Sequence, residues 1–514
     1  MLYVSILVEL LRSRPALAVW LAAIFQALLW TLLPDIFYAS PPGDVPLVLA
    51  IGHEFQLGSF LGPPLAFWLA ELAYDLAGRH LIGVYALSQA CVVATYWAVF
   101  LLGRAMVGAQ HAALAVLLMP GIAAFTVPSP DFGPAVLAMP LWAFILLHYW
   151  RAVREGQRGY WLALVIETGL LLLTTYLGLL LLALLIGFTL ANERARSSLK
   201  TYDPLLAVAI VALVIGPYLA WLIHSGIAPL RLDAARAPGF GDSLLAWLQR
   251  LALIVAAHAG LAVLVGLVAG WPWPREDPAP LIVRRPIVSF TRQFVYFFAL
   301  APPLLGSLAA VTLGWAGPMG GVAPLLILSG LAVVIAAGDA ISLKRQHIVI
   351  AAWFGLLIVP PVMAACSIFV LPWLNSDLRT AQPVETMGRF FSENFERRTG
   401  APLKIVGGDL RTAALVALGA PSRPSVLIDA APQRSPWVTI ESLRSKGAVL
   451  VWPTTDTAGT PPPGMAERFP QLVPEVPRAF ARWVQGRLPL VRIGWAVIRP
   501  KTEEPILLPH AGGR

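Results

Sequence analysis

The stretch PALAVWLAAIFQALLWTLLPDIF, Pro15 to Phe37, decides the fold class. A helix needs about 20 mainly apolar residues to cross the hydrocarbon core of a bilayer, and this run meets that length. Working outward, similar runs are expected to span near 81–103, 108–128, 132–150, 204–224, 249–271, 290–313, 322–341 and 348–374. Residues 159–192 are too long for one crossing and fit a tight helical hairpin with Thr174, Thr175 and Tyr176 near its outer tip. The sum is about eleven crossings at the usual helical length.

Composition supports this reading. Of 514 residues, 58% are hydrophobic and 13% charged, and the mean hydropathy is +0.73. That is too little charge to cover the surface of soluble domains. The strict alternation of an outer-membrane barrel is absent. The net charge of +9 does not indicate nucleic acid, because its excess falls in short loops between apolar runs. Arg151, Arg154 and Arg158 form one such group, Arg194, Arg196 and Lys200 a second, and Lys344 and Arg345 a third. Lys and Arg in short loops set orientation. With Arg12 and Arg14 inside, the N-terminus is expected in the cytoplasm of a bacterial inner membrane. An odd number of crossings then places residues 376–514 outside, in the periplasm. The first apolar run lacks a small-residue cleavage site, so it reads as a retained anchor. Cys91 and Cys366 fall inside expected helices and indicate neither a disulfide framework nor a metal cluster.

This divides the chain into a membrane part, 1–375, and an outer part, 376–514. The first outer loop, 37–80, carries Asp44, His53 and Glu54, and no Lys or Arg before Gly62. Asp44 follows Pro41-Pro42-Gly43, a turn that would set it at the start of a short helix. Its carboxylate there is either a cap, as Asp commonly is, or a reactive group. Residues 63–77 begin with two prolines, tolerated in a first helical turn. They then read as a helix at the outer interface with Glu71 and Asp75 on one side. Glu167, inside the hairpin, is a buried acid by position, with a partner on another helix or none. In the tail, β-branched runs alternate with helical segments, which predicts a small α/β domain with a mostly parallel sheet. Gly407-Gly408 is a weak phosphate-loop signal.

The run GDVPLVLAIGHEFQLGSFLGPPLAFWLAELAYDLAG, Gly43 to Gly78, resembles the first outer loop of the GT-C glycosyltransferases. The likeness is to the bacterial branch of family 39, relatives of protein mannosyltransferases, aminoarabinose transferases and rhizobial galacturonic acid transferases. PSPDFGPAVLAMPLWAFILLHYWRAVREGQRGYWLAL, with Asp131 at the outer mouth of a span, and LLLTTYLGLLL, at the hairpin tip, resemble two further family elements. The tail run PSVLIDAAPQRSPWVTIESLRSKGAVLVW is similar to the outer domain of the rhizobial-type members.

The resemblance implies an inverting transferase that moves a sugar from a polyprenyl-phosphate-linked donor to an envelope lipid or glycan acceptor. Its base would be Asp44, with His53, Glu54, Asp131 and Tyr176 at the substrates. Arg231 and Arg236, basic residues in an outer loop, are the candidates for the leaving phosphate, with interfacial snorkelling as their alternative. His224 and Glu54 are a candidate pair for a divalent metal ion, since imidazole with carboxylate is a reasonable donor set. The chain departs from the family at Gly62, where a basic or imidazole residue is usual, and at Thr175, where the family has lysine. Those departures keep open a non-catalytic scaffold that binds an isoprenoid lipid. A transporter fits less well, because no duplicated halves are visible.

Overall fold

The computed structural model describes residues 2–156, 158–196, 203–225, 240–269, 281–284, 286–312, 321–342 and 346–500. Among them, six helices are long and apolar enough to cross a membrane: Pro15–Phe37, Ile82–Val107, Pro134–Arg154, Leu206–Ser225, Ser289–Thr312 and Gln346–Leu374. The pair Gly241–Ala257 and Ala259–Ala269 makes a seventh candidate, bent by 47°. The apolar residues of these helices point outward as well as inward. Leu213 is 77% exposed, Ile223 79% and Val255 72%. A helix apolar on all sides is stable only where its surroundings are apolar too.

The other four expected crossings are helical but short: Ala109–Gly121, Gly159–Leu172, Leu177–Ala191 and Ala323–Ala336. The crossing expected over 108–128 ends early because Pro120 cannot continue the α-helix, and the chain passes into 3₁₀ turns at Met119–Gly121 and Ala123–Phe125. The hairpin of 159–192 is present, with its tip at residues 173–176. Inside it, Glu167 pairs with His148 of the preceding long helix, the imidazole Nδ1 lying 2.8 and 2.9 Å from the carboxylate oxygens. An acid among apolar helices is retained where a partner answers it.

Strands β1 (Leu281–Val283) and β2 (Ala340–Ser342) pair antiparallel in a small ribbon. The C-terminal region holds β3 (Ile405–Gly408), β4 (Ser425–Ile428), β5 (Ala448–Pro453), β6 (Glu475–Phe480) and β7 (Val491–Ile498), in the order β4-β3-β5-β7-β6. The expectation of a mostly parallel sheet needs correction. β3 is parallel to β4 and β5, but β7 runs antiparallel to both β5 and β6. Gly407 and Gly408 lie inside buried β3 rather than in a phosphate loop.

This region is fastened to the first loop at several places. The backbone N–H groups of Ala39 and Ser40 both donate to the Thr380 carbonyl, each at 3.0 Å. The helix Leu410–Gly419 packs against the helix Val45–Gly52, whose eight residues are all buried. Arg423, in the turn before β4, reaches Glu71 of the helix Leu65–Leu76.

Candidate active site on the first loop

Asp44 stands at the start of the helix Val45–Gly52, as the Pro-Pro-Gly turn implies, but its side chain makes no capping hydrogen bond. The second residue of that helix is Pro46, which has no N–H to offer a cap. The Asp44 side chain is exposed and makes no hydrogen bond among the described residues. Of its two readings from sequence, the cap is not realised.

The peptide unit between Gly43 and Asp44 is held at both ends. Its N–H donates to Asp131 Oδ1 at 2.9 Å, and its carbonyl accepts from Arg411 Nη1 at 2.5 Å. Gly43 has φ +49°, and a Cβ there would sit 1.7–2.3 Å from the Asp131 carboxylate atoms. No side chain fits that space, and the left-handed backbone favours glycine independently. Asp131, expected at the substrates and placed just ahead of the helix Pro134–Glu155, thus touches the backbone of Asp44.

Burial pushes the Asp131 carboxyl up to about 6, and the nearby Asp44 charge adds to this. Hydrogen bonds from the Asp44 and Val45 amides and the charge of Arg411 oppose it. Arg411 is held below the usual guanidinium range by burial and by Arg379. Its Nε and Nη2 are buried without a hydrogen-bond partner among the described residues. The charges of Asp44, Asp131, Asp409, Arg379 and Arg411 therefore gather where the loop joins the α/β region.

The second acidic group of the loop is finished differently. Glu71, expected on a polar helix face, is 1% exposed, while Asp75 is exposed. Both Glu71 oxygens accept from Arg423 Nη2, at 2.9 and 2.8 Å, and Oε1 lies 3.0 Å from His53 Nδ1. Arg423 also lies over the Tyr74 ring, 4.8 Å from its centroid. Burial would raise Glu71, but His53 and Arg423 outweigh it and hold the carboxyl below its ordinary value. Glu54 is raised by burial, with Ser425, His53, Glu71 and Lys446 around it. Its Oε1 is buried without a partner among the described residues.

Tyr176, at the hairpin tip, shares a short hydroxyl–hydroxyl hydrogen bond with Tyr218. It lies beside Gly62, whose Cβ position is 3.7 Å from the Tyr176 ring. Tyr218 and Trp221 press in the same way on Gly58. The corner of the first loop, the hairpin tip and the helix Asp203–Ser225 therefore converge. His224 is exposed, with Nδ1 2.7 Å from the Ala220 carbonyl. Among the described residues no group of three or more His, Cys, Asp or Glu side chains could hold a metal ion. Arg231 and Arg236 lie outside the described residues. Sequence reading missed Arg411, Arg379 and Arg423; their only local signal is position, at a helix start or in a turn.

Residues 62–221 match the family model described as dolichyl-phosphate-mannose-protein mannosyltransferase. The resemblance to the GT-C glycosyltransferases carried by the loop and hairpin motifs therefore stands. No curated protein matches the chain. ArnT from Cupriavidus metallidurans, solved bound to undecaprenyl phosphate, is 12% identical with a TM-score of 0.44, covering 94% of this chain and 98% of that one. The archaeal oligosaccharyltransferase AglB from Archaeoglobus fulgidus, solved with an inhibitory peptide and a dolichol-phosphate, is also 12% identical with a TM-score of 0.44, covering 86% of this chain and 70% of that one.

Proposed function

We propose, with the GT-C family match as premise, that this chain is an inverting glycosyltransferase of a bacterial inner membrane. It moves a sugar from a polyprenyl-phosphate-linked donor to an envelope lipid or glycan acceptor at the periplasmic face. The N-terminus is cytoplasmic, and residues 376–514 form a periplasmic domain that follows the membrane part, 1–375. A donor whose lipid tail stays in the bilayer presents its sugar at the interface, where the first loop would meet it.

The observation that carries the reading is the state of Asp44. Its carboxylate is exposed and makes no cap, while its backbone is fixed by Asp131 and Arg411. A weak hydroxyl nucleophile needs a positioned base, and such a group contributes typically a hundred- to ten-thousand-fold. In the proposed step Asp44 takes the proton of the acceptor hydroxyl. The acceptor oxygen bonds to the anomeric carbon from the face opposite the phosphate. The bond between the anomeric carbon and the phosphate oxygen breaks, and its electron pair leaves with the polyprenyl phosphate. The configuration at the anomeric carbon inverts. Asp131 orients Asp44, and His53, Glu54 and Tyr176 contact substrate from the loop and hairpin tip. Arg231 and Arg236 are the proposed cations for the leaving phosphate, since a guanidinium can grip its oxygens in pairs. No step is assigned to a metal.

The test is Asp44→Asn in the full-length protein, given undecaprenyl-phosphate-linked radiolabelled sugar and an envelope lipid extract. Transfer should fall about a hundred- to ten-thousand-fold while thermal stability holds. Unchanged transfer would remove Asp44 from the mechanism.

A further inference from the structure

We infer that Arg411 of the α/β region is a positioning residue for the base: with Asp131 it clamps the Gly43–Asp44 peptide, so the reactive site is complete only when the C-terminal region is docked. The inference rests on the assignment of Asp44 as base.

The geometry is specific. A peptide plane carries one donor and one acceptor, and fixing both fixes its rotation. Asp131 takes the N–H and Arg411 supplies the donor to the carbonyl. The two arms come from distant parts of the chain: Asp131 is 87 residues from Asp44, and Arg411 is 368 residues from Gly43. Arg411 itself is set by a capped helix start. The Asp409 side chain accepts from the Thr412 N–H at 3.0 Å and its hydroxyl at 2.7 Å, which anchors the helix Leu410–Gly419. That helix rests on the helix Val45–Gly52, so the guanidinium is delivered by the packing of one short helix on another. Arg411 makes no ion pair among the described residues. Two of its nitrogens are buried and unpartnered. A buried guanidinium with donors unmet is costly, and a purely structural contact would be expected to satisfy them.

The charge of Arg411 has a second effect on the pair. The charged groups around it are Asp44, Asp131, Asp409 and Arg379. That cation opposes the rise of the Asp131 carboxyl and so favours its ionised form. Its removal should move the acid limb of the transfer rate to higher pH. The limb reports the charge of Arg411, whereas exchange of the Asp44 amide and kcat report its hold on the peptide.

The experiment uses the full-length protein in two arms. The first follows hydrogen exchange of the Asp44 amide. In Arg411→Gln it should speed at least about tenfold, the change expected from loss of a modest hydrogen-bond restraint, while amides of β3 and β5 keep their rates. The second follows transfer from the undecaprenyl-phosphate-linked sugar. In Arg411→Gln kcat should fall about ten- to hundredfold, as for a misplaced catalytic group, with the donor KM unchanged and the acid limb shifted up. Arg411→Lys keeps the charge and loses the planar fork. It should restore the position of the limb but not the full kcat, and it also serves if the glutamine variant does not fold. An inactive Asp44→Asn beside a folded Arg411→Gln with native exchange, kcat and limb would overturn the clamp alone. So would Arg411→Lys with native exchange and kcat, should it be the only variant that folds. Active Asp44→Asn would overturn the catalytic reading, whatever the exchange rates show.

Discussion

Two acidic sites on the same loop are each bridged to the α/β region by one arginine, and they are finished in opposite ways. At Glu71 the carboxylate is buried, takes two contacts from Arg423 and a third from His53, and is held ionised. At Asp44 the carboxylate is exposed and uncapped, its neighbour Asp131 is pushed up to about 6, and Arg411 keeps two donors unmet. A satisfied pair holds two elements together. An under-satisfied group keeps its reactivity, and a fold tolerates the cost where chemistry uses it.

The comparison can be broken first at its structural half. Arg423→Ala leaves Glu71 buried with only His53 beside it. Loss of one partner of a buried pair typically costs about 3–5 kcal/mol, so a large drop in denaturation midpoint is expected. Because Glu71 is held below its ordinary value, the pair stabilises the fold above the unfolded carboxyl range, and that stability is lost as pH falls through the folded value. The difference between wild type and variant should therefore shrink in acid, as read by melting at a series of pH values. Equal melting at neutral pH would mean that Glu71–Arg423 does not hold the regions together.

A smaller effect is expected from Gly43→Ala. A left-handed backbone held by a residue with a side chain costs of order 1–3 kcal/mol, and here the new methyl would overlap Asp131 as well. Transfer should drop at least tenfold, about 1.4 kcal/mol in the barrier, while the α/β region stays docked, as read by protection of β5 amides. An active Gly43→Ala would show that this peptide needs no fixed geometry.

The smallest effect has the opposite sign. Asp131 is raised from 3.8 to about 6, so the folded state disfavours its ionised form. Above pH 6 this weakens the fold, and the penalty fades as pH falls from 6 towards 4. Asp131→Asn should therefore stabilise the protein by roughly 1–2 kcal/mol at pH 7.5, given about 1.4 kcal/mol per pH unit and partial solvent access. The gain should vanish below pH 4, and transfer should fall. A variant less stable than wild type at pH 7.5 would show that Asp131 is structural like Glu71.

How far these features are legible in the sequence follows from their range. Apolar runs are local, so the long helices and the hairpin around Thr175 could be read directly. The run over 108–128 misled because hydropathy does not register what Pro120 does to a helix. The antiparallel place of β7 beside β5 was not legible, because its direction is set by the path of the intervening chain, here a short helix at Pro463–Arg468 and β6, and not by the strand's own residues. Asp44 was visible through its Pro-Pro-Gly turn, but the sequence left cap and base both open, and the absence of a capping bond is seen only in the fold. Arg411 and Arg423 lie 368 and 352 residues from their partners, beyond any spacing rule.

The central claim is that the Asp44 carboxylate faces the outer compartment within reach of a lipid headgroup. The direct measurement is labelling of Asp44→Cys by a membrane-impermeant maleimide in intact cells, with Cys91 and Cys366 replaced by alanine. The account predicts labelling without permeabilisation, slowed when undecaprenyl phosphate is supplied. Labelling only after permeabilisation would place the loop in the cytosol and contradict it.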